Sequence, residues 1–579
     1  MPTDAATTAS PSVEPPTGPS AVPDSRGLNL YRADPDLRAV LGLYLPEALV
    51  ARLEPQLDRL GALAGGALDE LADVADHNPP VLVERTRRGE DEQRLDKHPA
   101  YLEMERLAFS EFGIAALSHR AGVFGWPAPM PPAAKYALVF LFVQAEFGLM
   151  CPVSMTDSLT RTLRKFGDPA LVARYLPALT SQDLDLLHQG AMFMTEQGAG
   201  SDVGATTVIA RPDGSAGWRL FGDKWFCSNP DADLAMVLAR PEGASGGLGG
   251  VSLFLLPRRL PDGAPNRYRI MRLKDKLGTR SMASGEIRLE GANAWMVGEP
   301  GAGFRQMADM VNNSRLSNGV RAAGLMRRAA FEALHVATHR VAFGRRLIDM
   351  PLMRRQLVKL LLPAEQARAM VFQTADALRR ADEGVASAYA LVRILTPLIK
   401  FRACRDARKV TGDAMEVRGG CGYIEEWPEP RLVRDAHLGS IWEGTSNIVA
   451  LDVLRAARRE GSLEALEAHL AEPAAELGAN VAPGFEAAFA RTFRFARAAL
   501  APGGEVRARQ AASALYHVTT AAALAWEAER TGLAHRAALA RLVVRHRLLA
   551  RDPLAEDGAD DDLDIVLDHA SAAIANAAG

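Results

Sequence analysis

The stretch Phe193–Thr207, FMTEQGAGSDVGATT, lies a third of the way along the chain, and its reading decides the rest. Thr195, Ser201 and the backbone N–H groups around Gly198 to Gly200 make a turn of donors suited to a polar ring edge or a pyrophosphate. The spacing is not the G-x-G-x-x-G of a dinucleotide fold, and alone it also reads as an ordinary β-turn. Its surroundings are glycine-dense: residues 185–303 hold 19 of the 49 glycines. Such density signals turns between short strands. Strands are expected at Thr206–Ala210, Ala235–Ala239, Val251–Leu256 and Glu286–Leu289, with RPDG at Arg211–Gly214 as a hairpin turn.

Working outward, the pattern on both sides is helical. From Leu28 to about Asp185, apolar residues recur at three- and four-residue spacing in PDLRAVLGLYLPEALVARLEPQLDRLGAL and KYALVFLFVQAEFGLM, the second of these buried all round. Between Pro300 and Pro351 no proline occurs, and the periodicity predicts one long helix over Gly303–Arg340, capped by Gly344. Further helices over 352–381 and 386–417, and one from near Asn447, complete a bundle, with Pro363 and Pro397 as kink positions. Beyond Gly461 the chain stays Ala- and Arg-rich and helical, with a loop at Pro502–Gly504 and an acidic run, EDGADDDLD, expected as a solvated tail. Residues 1–26, with six prolines among Ala, Ser and Thr, cannot bury enough apolar surface to order and are expected as a disordered tail. The expected class is α+β: an N-terminal helical domain at 27–184, a middle β domain at 185–303, a helical bundle at 304–460 and an extra C-terminal helical domain at 461–579.

Composition closes off several functions. Across 579 residues, Lys+Arg 67 against Asp+Glu 70 leaves a charge of -3, so no global basic field advertises nucleic acid or an anionic membrane. The four cysteines, Cys151, Cys227, Cys404 and Cys421, are spaced for neither a thiolate metal site nor a disulfide framework, which points to a reducing, cytoplasmic setting. The N-terminus has no basic, then apolar, secretory pattern. The apolar run Tyr136–Val143 is far short of the ~20 residues a membrane helix needs. His335 and His339 have the i, i+4 spacing of paired metal ligands, but no third ligand is evident and no metal is expected.

Four further segments occur in a fixed order with the first: GDKWFCSNPDADLAMVLAR, LGTRSMASGEIRLEGANAWMVGEPGAGF, RVAFGRRL and RGGCGYIEEWPEPRLVRDAHLGSIWEGTSNIVALDVLR. Together the five segments resemble the acyl-CoA dehydrogenase family over roughly Leu28 to Arg458. The long N-terminal domain, the KWF-x-S spelling, FGRRLIDMPLMRRQL and the added helical C-terminus are closest to the branch typified by AidB, a flavoprotein of the adaptive response to alkylating agents. The resemblance implies an antiparallel β-barrel as the middle domain, a four-helix bundle, FAD as cofactor and a homotetramer.

It also implies roles. Met192, Thr195 and Ser201 would contact FAD, Phe226 would pack on the isoalloxazine, and the Ser228 hydroxyl would face flavin N5. Arg340 and Phe343, at the end of the first bundle helix, match positions that reach the FAD of a neighbouring subunit, although Pro351 stands where the family commonly has a glutamine. Gly419, Gly420 and Gly422 would admit close approach of backbone to cofactor, and Thr445 and Asn447 would contact the flavin or its adenine half, or else act as helix caps. Glu443 matches the carboxylate that removes the α-proton of an acyl-CoA while the β-hydrogen leaves as hydride to the flavin. On its own terms IWEGTSN places it after Ile441 and Trp442, partly desolvated, the condition that makes a carboxyl a better base. A second branch of the family has its base on the long bundle helix, but Ser314 occupies that position here. Arg315 matches a helix arginine that contacts CoA, with interhelical pairing as the alternative.

Two functions follow. One is desaturation of an acyl-CoA or related thioester, with electrons passed to an electron-transfer flavoprotein. The other is a protective flavoprotein that binds DNA through its C-terminal domain. Arg541, Arg545, Arg547 and Arg551 could contact phosphates, yet they fall on opposite sides of a helix, and the segment from Gly461 holds 11 Arg against 16 Asp and Glu. Reaction of reduced flavin with oxygen is a third use of such a scaffold.

Overall fold

The computed structural model describes residues 22–214, 217–481, 484–552, 554 and 561–577, so most of the expected tail at 1–26 lies outside the described residues. The N-terminal region contains α1 (Asp36–Leu41), α2 (Glu47–Gly65), α3 (Ala67–His77), α4 (Pro99–Glu105), α5 (Pro132–Phe142), α6 (Met150–Phe166) and α7 (Pro169–Leu179). Along α2, Leu49, Val50, Leu53, Leu57 and Leu60 are buried, the one-sided stripe that helical spacing produces. Every residue of α5 is buried, as its unbroken apolar run implies. The helical expectation fails at one place: β1 (Val81–Arg85) and β2 (Asp91–Asp96) form an antiparallel hairpin. It is rich in charge, and it docks on the barrel through Leu95, buried against Ile270 and Ala283 with Leu82 beside them, and through Gln93, whose side-chain oxygen accepts from the Ile270 N–H at 2.7 Å.

The glycine-dense middle holds seven strands: β3 (Gly190–Phe193), β4 (Ile209–Asp213), β5 (Gly217–Ser228), β6 (Leu234–Pro241), β7 (Ser252–Pro257), β8 (Tyr268–Leu273) and β9 (Ser284–Val297). The pairings β6–β4, β4–β5, β5–β9, β9–β7 and β7–β6 return to their starting strand and close a barrel. Phe193, Val208, Leu220, Val237, Phe254 and Ile287 fill its interior. Most pairs are antiparallel, but β3 and β4 run parallel to β6, to which neither is joined by a hairpin. The expected RPDG turn is displaced. Arg211 to Asp213 continue β4 as far as the Asp213–Gly217 pair, so these three residues are strand and not turn. Thr206 stays outside β4 because its hydroxyl donates to Val203 O at 2.8 Å, closing the preceding turn.

The bundle comprises α8 (Gly303–His339), α9 (Pro351–Asp382), α10 (Ala386–Arg418), α11 (Pro428–Gly439) and α12 (Ser446–Glu460). Pro363 and Pro397 lie inside unbroken helices. Gly344 does not cap α8, which ends at Arg340 in an extended conformation. Instead Phe343 (φ 52°) and Gly344 (φ 73°) form the two-residue turn of a hairpin between β10 (Val341–Ala342) and β11 (Arg345–Arg346), the positive-φ pair that twists correctly between strands.

The extra C-terminal helices are α13 (Ser462–Val481), α14 (Phe485–Ala499), α15 (Ala508–Thr531), α16 (Ala534–Val543) and α17 (Asp561–Asn576). The acidic run is therefore not simply a solvated tail. Residues 556–560 lie outside the described residues, but Asp561 opens α17, and the buried Asp562 accepts from Arg541 Nε at 2.8 Å and Arg545 Nη2 at 3.2 Å. The C-terminal helices close back onto α1, where Asp36 meets His535 Nε2 at 2.6 Å and His569 Nε2 at 3.1 Å. Among the described residues no helix is long and apolar enough to cross a membrane.

Candidate active site

Glu443 sits in the loop between α11 and α12 with φ 55°, followed by Gly444 at φ 102°. A non-glycine residue in the left-handed region costs about 1–3 kcal/mol and persists only when its surroundings impose it. Here they do. Lys400 Nζ of α10 donates to the carbonyls of Trp442 and Gly444, each at 2.8 Å. Arg315 Nε of α8 donates to the Glu443 carbonyl at 2.9 Å, and Arg315 is in turn paired with Asp452 of α12 at 2.8 Å. Three successive carbonyls are thus tied to two cations from two helices. Burial pushes the Lys400 ammonium down to about 8. Gly444 is required by its φ and because a Cβ there would meet Arg315 Nη2 at 3.2 Å.

The carboxylate itself is asymmetric. Ser314 Oγ donates to Oε1, while Oε2 is buried with no hydrogen-bond partner among the described residues. Trp442 packs on Phe147 with ring centroids 6.1 Å apart, whereas Ile441 is 58% exposed. Of the two residues that precede Glu443, only Trp442 is packed against the protein interior. Replacing Lys400 by Met should let the strained loop relax. Because a misplacement near 1 Å can cost about 100-fold, a rate loss of that order is expected with the helical circular dichroism unchanged.

The turn at 193–207 meets the KWFCS strand through a buried ion pair. Glu196 accepts from Lys224 Nζ at 2.8 Å and from the Thr207 N–H at 2.7 Å, and the Trp225 N–H donates to Thr195 O at 2.9 Å. These bonds bring Met192 of β3, Thr195, and Phe226 and Ser228 of β5 together, with Ser201 exposed on the same turn. Phe226 is 58% exposed and offers an aromatic face. Ser228 Oγ lies 3.4 Å from Ser284 Oγ, and burial raises the thiol of Cys151 on α6, against the nearby Arg321 charge.

Arg340, Phe343, Gly419 and Gly420 are not brought to that place. Arg340 Nη1 donates to Arg418 O at 3.0 Å, and a Cβ on Gly419 would meet it at 3.4 Å. This second group lies 26 residues beyond Ser314, about 40 Å along the α8 axis. Phe343 at its tip is 98% exposed. Gly422 has a packing reason of its own, since a Cβ would meet Met415 O at 2.4 Å. Thr445 stands at the N-cap of α12 but makes no side-chain capping bond, and Asn447 Oδ1 accepts from Arg509 of α15 at 3.4 Å. His339 Nδ1 bonds to the carbonyl of His335 at 2.8 Å, while the buried His335 Nδ1 has no hydrogen-bond partner among the described residues. Sequence reading had no role for Lys400 or Asp452. The signal for Lys400 was a single charge inside the apolar helical run TPLIKF.

Three family profiles match the chain: the adaptive response protein AidB N-terminal domain over residues 21–186, the acyl-CoA dehydrogenase middle domain over 191–292 and the acyl-CoA dehydrogenase C-terminal domain over 301–457. AidB of Escherichia coli K12 is 36% identical over 408 residues, 68% of this chain and 72% of AidB. Acyl-CoA dehydrogenase family member 11 of Caenorhabditis elegans is 33% identical over 440 residues, 74% of this chain and 70% of its own length. The crystal structure of C. elegans ACDH-11 in complex with C11-CoA superposes with a TM-score of 0.86 at 27% identity, covering 93% of this chain and 95% of that one. The chain belongs to the acyl-CoA dehydrogenase family, in the branch that carries an AidB-type N-terminal domain.

Proposed function

We propose that the chain binds FAD between barrel and bundle and desaturates an acyl-CoA or related thioester, with Glu443 as the base. The observation that carries this reading is the split carboxylate, one oxygen held by Ser314 and the other buried and unpartnered on an over-determined loop. The family is FAD-dependent, and the residues fit the cofactor: an exposed aromatic face at Phe226, the Ser228 and Thr195 hydroxyls beside it, and a Thr445 hydroxyl that makes no cap. When bound, FAD supplies a hydride acceptor at N5.

The chain's own residues do the rest. Glu443 Oε2 takes the α-proton, and Ser314 keeps Oε1 from competing for it. The Glu443 N–H donates to the thioester carbonyl, stabilising the charge that develops there as the proton leaves. Met192, Thr195 and Ser201 hold the flavin and pyrophosphate, and Arg315 positions the base while flanking the CoA portion. The C11-CoA bound to C. elegans ACDH-11 supports an acyl-CoA as the ligand. An electron-transfer flavoprotein is the expected acceptor.

Arg340, Phe343, Gly419 and Gly420 are too far from Glu443 to serve the same FAD, so a second copy would supply them, which requires at least a dimer and is compatible with a homotetramer. Phe343→Asp should then shift sedimentation to smaller species and weaken FAD retention. Unchanged sedimentation would count against that assembly. DNA binding loses two of its residues to Asp562, which accepts from both Arg541 and Arg545. The reading is tested by adding acyl-CoAs anaerobically to FAD-loaded protein. Bleaching of the flavin supports it, whereas no bleaching with salt-dependent DNA retention would favour the DNA-binding alternative.

A further inference from the structure

Arg321 lies on α8 two turns beyond Ser314, and its side chain is fully buried. Nε, Nη1 and Nη2 all lack a hydrogen-bond partner among the described residues. Four other arginines are as deeply buried, Arg328, Arg368, Arg418 and Arg536, and each is paired with carboxylates. Arg321 instead lies over two aromatic rings, 4.6 Å from the Trp442 centroid and 5.2 Å from that of Phe147. The rings attract the cation through their faces but offer its N–H edge no acceptor. A guanidinium buried without an anion is strongly unfavourable, so its retention needs a partner that the described residues do not supply.

Other unmet polar atoms gather at the same place. Trp442 Nε1 is a buried donor without a partner, as Asn318 Oδ1 and Glu443 Oε2 are acceptors without one. Donors exceed acceptors, and the excess sits on the residues next to the base in sequence or along α8.

We infer that Arg321 is a specificity-determining residue: the thioester substrate carries a carboxylate or comparable oxyanion on its acyl group, received by the Arg321 fork with the Trp442 indole N–H as a further donor. The proposal rests on the dehydrogenase reading above and deepens it by naming the substrate class. The fork of parallel N–H groups matches a carboxylate in two-point contact. The reaction is otherwise unchanged. Glu443 would take the α-proton, bound FAD would supply the acceptor for the β-hydrogen and its electron pair, a carbon–carbon double bond would form, and the distal carboxylate would be untouched.

The test is anaerobic titration of FAD-loaded protein with succinyl-, glutaryl- and adipyl-CoA against butyryl-, pentanoyl- and hexanoyl-CoA, with decanoyl-CoA as a long apolar arm. Binding is read from the flavin spectral shift and turnover from bleaching. At least one dicarboxylic thioester is expected to bind on the order of 10- to 100-fold more tightly than its straight-chain counterpart. Arg321→Met should abolish that preference, and Arg321→Lys, which keeps the charge but not the fork, should retain only part of it. Equal or better binding of the straight-chain thioesters by the wild type overturns the proposal, as does an Arg321→Met protein that keeps the preference. If decanoyl-CoA or another apolar thioester alone bleaches the flavin, the proposal falls and the dehydrogenase reading stands. If no thioester perturbs the flavin, both fall.

Discussion

Glu443→Gln is expected to give a protein that is folded and yellow but reduced by acyl-CoA about 100- to 10,000-fold more slowly, the range over which a general base contributes. The substitution is nearly isosteric. A glutamine carbonyl still accepts from Ser314, and the backbone contacts from Arg315 and Lys400 to residues 442–444 do not involve the side chain. Loop geometry should therefore survive while the proton acceptor is lost. Stopped-flow absorbance under nitrogen checks it, with the flavin spectrum before mixing reporting cofactor retention. A variant that bleaches at the wild-type rate would remove Glu443 from the chemistry.

The second large effect concerns how the C-terminal helices are held. Asp36 of α1 is buried, meets His535 and His569, and lies 3.3 Å from Arg368 Nη2 and 3.7 Å from Arg536 Nη1. Burial opposes ionisation of its carboxyl, but hydrogen bonds from the two histidines and the Arg368 charge hold it well below the usual carboxylate range. Removing one partner of such a buried array typically costs about 3–5 kcal/mol, so Asp36→Asn should lower the unfolding free energy by that order. The pH dependence has a definite sign. A depressed carboxyl contributes stability that is fully present above its unfolded value, near 3.9, and is lost progressively as pH falls below it. Wild type should therefore lose this advantage over Asp36→Asn on acidification from about pH 5 downward, and denaturant titrations across that window check it. Equal stability of the two at neutral pH would show that the latch contributes nothing.

Much of this architecture was legible because long helices and glycine-spaced strands obey local rules. The helix expected over Gly303–Arg340 is α8, Gly303–His339, since its apolar periodicity is unbroken and proline-free. The hairpin at Val81–Asp96 and α11 were not legible. The first is a charged segment ordered by docking onto β8, and the second opens on two prolines that read as loop. The end of α8 is not legible because Gly344 serves a hairpin turn, and a lone glycine does not say which structure needs its positive φ.

At the site, motif segments named Glu443, but what holds it comes from far away in sequence. Ser314, Arg315 and Lys400 reach it from α8 and α10, and no local pattern encodes those contacts. Arg321 was silent for the same reason. Its sequence context, GVRAAG, looks like any helix interior, and only burial without a partner distinguishes it.

The most direct test of the central claim is the rate of flavin bleaching in anaerobic single turnover with an acyl-CoA deuterated at its α-carbon, compared with the unlabelled thioester. If Glu443 removes the α-proton as the hydride departs, the deuterated substrate should bleach the flavin several-fold more slowly. Identical rates for the two, or a protein that bleaches with neither, would contradict the account.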